Sequence, residues 1–443
     1  MEINHSAPPE SSLKPIIKFY LPTYVGIPSL EQLRNLNSSL PEELKVEAIQ
    51  AEKSTYLKDI DPNLRSVYLS NWIYSLQIKC QCHFSFGHVR IYPFGKIDID
   101  FFADGVAVIV LTVFADSSSP INPRDIHNVL TMIVSWIDHQ DPRIVGLLSA
   151  LITKIRSSSE PDTDFLNVAK NVEMSHGSLY GGSFSIIDGF NLEENDKNLL
   201  FQFLVPDYTE ARRTPKHINT DEFLAERMGD MVLHASWEGL VAHGRIYWPD
   251  IIFYDIINRL VHHIWTACYY LDQLASYYLS QQAYSKELNQ DPYKSQYKAH
   301  ARAEQIKKLR AFFFVIRDTM NNFDSRLNIR IINLLKVSAA YGNLDRMLPA
   351  TDEKINFLMD EYVEQSREYE HLQSELFNRR LQFLALLIGT LVVIDTVNIL
   401  LGEILMPGDV TSRILNVAAR LIPVIIVDAL IYWFGLRKRH ASF

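Results

Sequence analysis

The sequence has 443 residues, a formal net charge of −9, 47% apolar residues and three cysteines. This length allows two or three domains with a sizeable core, and the acidic balance argues against nucleic acid as a direct partner. Three cysteines exclude a disulfide framework, and their spacing matches no metal site.

The first half of the chain predicts a cytosolic α/β sensor domain over residues 16–250. Residues 1–15 are polar, rich in proline and serine, and lack the apolar segment of a signal peptide, so we expect a flexible tail. A first strand is predicted at residues 16–20 and is expected to stop at Pro22. Strict alternation of apolar and polar residues then predicts a strand over residues 76–86.

A hairpin and two helices follow in the same domain. The turn at residues 103–105 precedes an apolar run over residues 106–114, which predicts a central strand of an antiparallel sheet. Asn122 is the predicted N-cap of a helix, because Pro123 suits the first helical position, where a backbone N–H is unpaired anyway. A second helix is predicted at residues 144–155.

The remainder of this domain has weaker patterns. We predict a loop at residues 157–163, strands at residues 183–187 and 199–205, and mainly helical structure from about residue 220. The segment before that helical region is basic, and it predicts either a site for an anionic ligand or a solvated loop. The side chains predicted for such a ligand site are Arg212, Arg213, Lys216 and His217.

Residues 251–350 predict a bundle of long helices. An amphipathic pattern over residues 251–288 contains too many ionisable side chains to span lipid, namely Asp255, Arg259, His262, His263 and Asp272. His262 and His263 are adjacent, so they face different sides of a helix and do not form a joint metal site. The chain has no phosphate-binding loop, nucleophile elbow, HExxH or GxGxxG motif, so we predict neither an enzyme nor a metal site.

From residue 351 the sequence predicts a stalk helix, residues 351–380, that runs into a first transmembrane helix, residues 381–401. Thr351 is the expected N-cap, and continuous helix over residues 352–401 would be about 75 Å long. Along the stalk, apolar or aromatic side chains recur every seven residues, at Ile355, Tyr362, Tyr369, Leu376 and Phe383. This stripe predicts packing either against identical helices around an axis or against the chain's own domain.

A second transmembrane helix is predicted at residues 414–436, after an outer loop at residues 402–413 and before a basic cytosolic tail at residues 437–443. Each apolar stretch has about the 20 residues that a bilayer crossing requires, although two charged residues and a proline interrupt the second. Arginines before the first stretch and the basic tail place both termini in the cytoplasm, so we expect a multi-pass protein of the cell (inner) membrane. The alternative is a buried helical hairpin.

Polar side chains inside the first predicted span indicate what the membrane region does. Ionisable groups in lipid are costly and face either a partner or a water-filled path. We therefore predict that a ring of such helices lines a hydrated pore, with Glu403 and Asp409 at the outer mouth concentrating cations. The predicted lining residues are Gln382, Gly389, Asp395, Thr396, Asn398, Gly402 and Glu403. The alternative is static pairing, of Asp395 with Arg420 and of Asp428 with the basic tail.

This arrangement resembles the CorA superfamily of pentameric cation channels. The shared features are a cytosolic α/β head, long helices, a stalk that continues into the first of two spans, a short outer loop and a basic tail, here Arg437, Lys438, Arg439 and His440. The resemblance implies an α+β cytosolic domain followed by long helices and two C-terminal transmembrane helices. It also implies a homo-oligomer of four or five subunits that conducts ions across a lipid bilayer.

One departure from that family affects the expected function. Members that carry magnesium close the first span with Gly-Met-Asn, whereas residues 398–403 of this chain read NILLGE. Divergent CorA-like proteins are also membrane effectors of type III CRISPR systems, for which the implied activator is a second messenger of S-adenosylmethionine joined to AMP. The resemblance therefore implies a gated antiviral channel with a nucleotide ligand. A divalent-cation transporter and a membrane-anchored interaction protein are the alternatives.

Overall fold

The computed structural model describes residues 13–36, 46–53, 72–80, 84–86, 89–116, 121–138, 145–159, 161–175, 181–190, 199–200, 203, 224–236, 239–287, 306–314, 316–317, 344–404, 411, 415, 418–419, 422–423 and 426. The chain divides into two compact units. The first comprises Met1–Asn289 with Ile306–Leu358, and the second comprises Gln290–Gln305 with Met359–Phe443.

The first unit is built on one ten-stranded sheet. Its strands are β1 (Leu13–Tyr24), β2 (Val46–Lys53), β3 (Trp72–Cys80), β4 (Phe84–Phe86), β5 (Val89–Phe102), β6 (Val106–Asp116), β7 (Gly182–Asp188), β8 (Leu224–Met228), β9 (Met231–Ala235) and β10 (Gly239–Gly244). The strand order is β2-β3-β5-β6-β1-β7-β10-β9-β8, with β4 paired to β5. Neighbouring strands are antiparallel except β7 and β10, which are parallel, so the sheet is mixed.

The helices that the structure describes with their full bounds are α1 (Leu30–Arg34), α2 (Pro123–Asp138), α3 (Val145–Ser159), α4 (Thr163–Ser175), α5 (Trp248–Glu287) and α6 (Leu344–Ile404). Residues 306–314 and 316–317 are also helical. The predicted start of α2 is confirmed, since the Asn122 side-chain oxygen accepts a hydrogen bond from the Arg124 backbone N–H at 2.9 Å. The predicted long amphipathic helix is α5, and it begins at Trp248.

The sheet has layers on both faces because successive side chains of a strand point to opposite sides. On one face, alternate residues of the central strands form the main hydrophobic core with side chains of α1, α2 and α3; among them are Ile17, Phe19, Ile97, Ile99, Leu33, Ile126 and Leu151. On the other face α5 packs against β1 and β6. The residues of β1 on that face include Lys18 and Tyr20, which hydrogen-bond to α5.

The central hairpin is as predicted, whereas the first strand is longer than predicted. β5 and β6 are joined by a turn in which Gly105 has a φ of 83°, and β6 is buried along most of its length. β1 begins at Leu13, inside the predicted tail, and passes through Pro22 to Tyr24. The predicted stop at Pro22 is wrong because β7 pairs with β1 only from Ile17 to Tyr20. Beyond Tyr20 no β7 partner requires a backbone donor from the proline.

Three further predictions for the first unit are wrong. Residues 199–200 and 203, predicted as strand, are helical. The predicted loop at residues 157–163 is shorter, because α3 reaches Ser159 and α4 starts at Thr163. The region after residue 220, predicted as helical, contains β8, β9 and β10 before α5 begins. β10, for example, is buried at every position, so its sequence lacks the alternation of apolar and polar residues that indicates a half-buried strand.

The stalk helix starts earlier than predicted. α6 begins at Leu344, contains Pro349, and continues without a break to Ile404. Proline at an interior position removes one backbone hydrogen bond, which explains why the sequence pattern indicated a helix end there. The helix continues because Leu344, Thr351 and Ile355 on either side of the proline are buried in the first unit. Thr351 is therefore inside the helix rather than its N-cap.

Little of the region after α6 is described. Within the predicted second span, residues 415, 418–419, 422–423 and 426 are helical. The rest of residues 414–436, most of the predicted outer loop and the basic tail lie outside the described residues. The prediction of a second transmembrane helix therefore stays a prediction.

Candidate functional site

Polar side chains in the interface between the sheet and α5 form a buried charge cluster, which we define as Lys18, Asp98, Asp100, Asp255 and Arg259. Asp98 and Asp100 alternate on β5 and so point to the same face, while Asp255 and Arg259 are one helical turn apart on α5. The packing of α5 on the sheet brings the two pairs together. All except Lys18 are buried, and Arg259 is only 1% exposed.

Arg259 is the centre of the charge cluster. Its Nη1 donates to Asp100 Oδ2 at 2.6 Å, and its Nη2 donates to Asp98 Oδ2 at 3.2 Å and to Asp255 Oδ2 at 3.0 Å. One guanidinium thus contacts three carboxylates from two elements. Its planar fork of five N–H groups suits this geometry, which a lysine would not reproduce.

The remaining carboxylate oxygens also have donors. Lys18 Nζ donates to Asp255 Oδ2 at 2.7 Å, and the hydroxyl of Tyr20 donates to Asp255 Oδ1 at 2.6 Å. The Ser75 hydroxyl donates to Asp100 Oδ1 at 2.9 Å, and the Gln77 amide donates to Asp98 Oδ1 at 3.0 Å. Because buried charges are tolerated only when they are paired and hydrogen-bonded, this network accounts for the burial of the charge cluster.

The charge cluster contains three carboxylates and two cations, so the environments of the carboxylates differ. Burial raises the pKa of Asp100 to about 6, against the opposing effect of Arg259. Burial acts in the same direction on Asp255, but Arg259 and Lys18 outweigh it and hold the pKa of Asp255 well below its usual value. Burial, followed by the charge of Asp255, raises the pKa of Tyr20 well above the usual range, so Tyr20 stays a protonated donor.

Two histidines of α5 extend this contact surface. His263 Nε2 lies 2.7 Å from Asp104 Oδ2 in the β5–β6 turn, and the His263 ring stacks on Phe102 with ring centroids 3.7 Å apart. The ring of His262 stacks on Tyr20 at 5.4 Å, and burial lowers its pKa to about 4. As predicted from their adjacency, the two rings contact different groups rather than one site.

Further along α5, Asp272 contacts the first turns of α6. Lys354 Nζ lies 2.7 Å from Asp272 Oδ1 and 3.0 Å from Ser276 Oγ, and the Thr351 hydroxyl donates to Asp272 Oδ1 at 3.3 Å. α5 therefore contacts the sheet through the charge cluster and α6 through Asp272. All of these contacts lie within the first unit.

The later part of α6 has a different chemical character. Its segment Glu370–Asn398 is 29 residues long with a mean hydropathy of 1.8 in its most apolar window, and none of that window is buried. Within the described residues it is the one helix long and apolar enough to cross a membrane, by length and composition. Large apolar side chains are exposed along it, including Leu384, Leu387, Ile388, Leu391, Val392 and Val393.

The predicted pore-lining residues within this helix are partly described. Gln382, Gly389, Asp395 and Thr396 are exposed. Asn398 is half-buried, and its Oδ1 is enclosed without a hydrogen-bond partner in the part of the chain that the structure describes. The Thr396 hydroxyl donates to the carbonyl of Val392 at 2.8 Å, as a hydroxyl in an apolar helix commonly does.

The other predicted site residues have no described side chains. Gly402 and Glu403 lie in the last turn of α6, where the structure describes the backbone alone. Asp409, Arg420 and Asp428 lie outside the described residues, so the outer mouth and the alternative ion pairs stay predictions. The same holds for the predicted ligand-binding residues Arg212, Arg213, Lys216 and His217.

The sequence patterns did not predict the charge cluster as a site. Two signals were present: acidic residues alternating on β5, and a carboxylate four residues before an arginine on α5. In the described part of the chain no group of three or more His, Cys, Asp or Glu side chains is arranged to hold a metal ion. No protein-family model, curated protein or solved structure matches this chain. The function is therefore argued from these residues and their contacts.

Proposed function

We propose that this protein is a homo-oligomeric membrane channel with a CorA-like arrangement, in which the α+β first unit lies in the cytoplasm and controls conduction through α6. The observation that carries the proposal is the continuity of α6. One helix contains both the residues that contact the first unit through Asp272 and the segment with the composition of a membrane span.

The exposure of the apolar segment supports a membrane location. Burying one large apolar side chain stabilises a protein by about 1.5–3 kcal/mol, so a helix that leaves many exposed on all sides requires lipid or partner helices. The hydroxyls of Thr390 and Thr396 donate to backbone carbonyls of the same helix at 2.7 and 2.8 Å. These internal bonds suit a segment without access to water.

The polar residues of the same segment support a pore rather than a plain anchor. Polar side chains are unfavourable inside a bilayer, and a charged one costs about 3 kcal/mol or more. A span that served only as an anchor would therefore gain nothing from Gln382, Asp395 and Asn398. Several copies around an axis would turn these side chains towards a shared hydrated path. The alternative is a static partner for Asp395, and unchanged flux and selectivity in the Asp395→Ala variant of the experiment below would favour it.

Gating requires a ligand whose affinity differs between closed and open states. The contacts from sheet to α5 and from α5 to α6 are a physical route by which ligand binding to the first unit would act on α6. We propose an anionic nucleotide second messenger of the S-adenosylmethionine–AMP type, bound by the basic segment with Arg212, Arg213, Lys216 and His217. A divalent cation is the alternative ligand, and it corresponds to the transporter alternative.

The test is cation flux into liposomes that contain the purified protein. We expect flux that increases on addition of the nucleotide, and at least about a tenfold loss of flux or an altered ion selectivity in Asp395→Ala and Asn398→Ala, because the lining charge and amide are removed. Thr390→Val is the matched control, since the Thr390 hydroxyl donates to the backbone of its own helix and Thr390 is not one of the predicted lining residues.

Each outcome distinguishes the alternatives. Equal flux and selectivity in the control, in Asp395→Ala and in Asn398→Ala would contradict pore lining. Flux that depends on a divalent-cation gradient and ignores the nucleotide would indicate the transporter. A membrane-inserted protein without flux under any of these conditions would be an anchored interaction protein.

A further inference from the structure

Arg380 is the last charged residue before the apolar segment of α6, and its surroundings differ from those of the adjacent Arg379. The Arg379 Nη2 atom lies 3.2 Å from Oε2 of Glu375, one turn earlier on the helix, so the charge of Arg379 is paired. Arg380 is exposed, and among the residues that the structure describes it has no acidic partner. Of the two adjacent arginines, therefore, only Arg379 has a carboxylate counter-ion in the described part of the chain.

The neighbours of Arg380 on its own face of the helix are apolar. Residues three and four positions apart share a face of an α-helix, and for Arg380 these are Leu376, Phe377, Phe383 and Leu384. Phe377 is 62% exposed, Leu384 52% and Phe383 44%. Because none of these four residues is acidic, the counter-ion of Arg380 has to come from outside this face of α6.

The position of Arg380 along α6 corresponds to the depth of lipid headgroups. This step rests on the membrane location proposed above, with the predicted first span, residues 381–401, centred on Leu391. Because α6 is continuous here, the Cα atom of Arg380 lies about 16 Å from that centre along the helix. The hydrocarbon core extends about 15 Å from the bilayer centre, and the headgroup region extends to about 20–22 Å. Helical side chains tilt towards the N-terminus, so the guanidinium reaches further into the headgroup region.

In the proposed channel, Arg380 faces lipid rather than the pore. Gln382 is the predicted lining residue nearest to Arg380 in the sequence. Side chains two positions apart on an α-helix are rotated by about 200°, so Arg380 and Gln382 lie on opposite sides of α6. When Gln382 faces the hydrated path, Arg380 faces outward together with Phe377 and Leu384, whose apolar side chains suit contact with lipid.

We propose that Arg380, flanked by Phe377 and Leu384, binds the headgroup phosphate of an anionic phospholipid in the cytoplasmic leaflet. A guanidinium presents paired N–H donors that match two phosphate oxygens, and it is less strongly hydrated than an ammonium group. An anionic headgroup neutralises the charge of Arg380, whereas a zwitterionic headgroup has a cation of its own. The site therefore prefers anionic to zwitterionic lipid, while the two apolar side chains contact the upper part of the acyl chains.

The experiment measures which lipid stays bound to the full-length protein. The protein is reconstituted in an equimolar mixture of phosphatidylglycerol and phosphatidylcholine and extracted again in mild detergent, and its bound phospholipids are quantified by mass spectrometry. We expect the wild type to retain at least about five times more phosphatidylglycerol than phosphatidylcholine, the ratio that one arginine supplies at an anionic surface. Arg380→Gln should lower this enrichment about fivefold. Arg379→Gln is the matched control, because it removes the same charge from the adjacent position, where Glu375 is already a partner.

Both arginines are exposed, so neither substitution disturbs a buried contact. Enrichment in Arg379→Gln should equal that of the wild type. Equal enrichment in the wild type and Arg380→Gln, or an equal loss in both variants, would overturn the assignment to Arg380. Flotation of the same liposomes distinguishes this result from a failure of the proposed function. A wild type that floats but shows no lipid preference would overturn this inference alone, whereas a wild type that does not float would contradict the membrane location as well.

Discussion

Arg259 is a charged residue in an almost fully buried position. Its side chain is 2% exposed and is the common partner of three carboxylates. Removing such a charge from water costs several kcal/mol, and only the full set of charge-assisted hydrogen bonds compensates for it. Removing one partner from the charge cluster would therefore leave buried charges without compensation.

The first residue-scale prediction concerns Arg259→Met, which keeps the length of the side chain and removes its charge. We expect a loss of about 3–5 kcal/mol in the free energy of unfolding, because three buried carboxylates lose their shared partner. Urea unfolding in detergent, followed by tryptophan fluorescence, measures this loss. The exposed Arg310→Met should change stability by less than about 0.5 kcal/mol. Equal effects of the two substitutions would contradict the assigned role of Arg259.

The second residue-scale prediction concerns the pH dependence of stability at Asp100. Burial raises its folded-state pKa from 3.8 to about 6, so folding favours the protonated carboxyl. The resulting contribution to stability is complete below pH 3.8 and is lost as the pH rises through 6. The stability of the wild type relative to Asp100→Asn should therefore fall by on the order of 1–2 kcal/mol between about pH 4 and pH 7.

Unfolding of both proteins at several pH values measures this difference. Asp360→Asn, which changes an exposed carboxylate on α6, serves as the control and should follow the wild type at every pH. The quantity compared is the difference in the free energy of unfolding between the wild type and Asp100→Asn. If this difference stays constant or grows with pH, Arg259 keeps the Asp100 carboxylate charged throughout the pH range.

At the scale of elements, close backbone approach determines where β7 meets β1. Gly181, just before β7, lies against the end of the β1–β7 ladder, whose last pair is Tyr20 with Gly182. A Cβ at residue 181 would lie 1.7 Å from the backbone oxygen of Tyr20. Real contacts never approach this distance, so only glycine permits the chain to enter β7 here.

We therefore predict that Gly181→Ala lowers the free energy of unfolding by at least about 2 kcal/mol, because a buried strand backbone has to move. Gly146→Ala is the matched control: its Cβ would have no atom within 4 Å, and it lies in the first turn of α3. The control should be neutral or stabilising by up to about 1 kcal/mol. Denaturant unfolding measures the free energy of unfolding of both variants. Similar losses in the two would contradict the close approach of residue 181 to the backbone of Tyr20.

At the scale of the whole molecule, α6 is the element that both units share. Its residues before Met359 have buried partners in the first unit, whereas its residues after about Leu381 have an exposed apolar surface. The first part of α6 is thus packed in the protein interior, and in our proposal the later part is surrounded by lipid. This division is the physical basis of the proposed channel.

The whole-molecule prediction is that Leu384→Arg with Ile388→Arg removes membrane association. Arginine near the centre of a span costs about 2.5–3.5 kcal/mol, so two cost about 5 kcal/mol or more. In a sucrose flotation of cell lysate, the wild type should float with the membranes and the double variant should not. Phe357→Arg, which alters another exposed apolar residue of α6, should float like the wild type.

A wild type that stays at the bottom of the gradient would contradict the membrane proposal. A double variant that floats fully would assign the anchoring to the predicted second span at residues 414–436 instead. Flotation separates membranes from aggregates, so pelleting of misfolded protein does not imitate either result.

Much of this architecture was predictable wherever local patterns decide structure. The hairpin of β5 and β6, the Asn122 cap of α2, the long α5 and the apolar part of α6 all followed from periodicity and turn residues. The predictions failed where tertiary contacts overrule local preference. One example is β1 continuing through Pro22, where no β7 partner requires a backbone donor. Another is α6 continuing through Pro349, where buried neighbours compensate for the missing donor.

The sequence by itself determined which segments are apolar enough for a core or a membrane, and where most long elements lie, because hydrophobic periodicity is a local property of the chain. Only the tertiary structure decided which charges meet. Asp98 and Arg259 are 161 positions apart, and their contact depends on how α5 crosses the sheet. The facing imidazoles of His234 and His243 depend likewise on the register of β9 against β10, which no local pattern encodes.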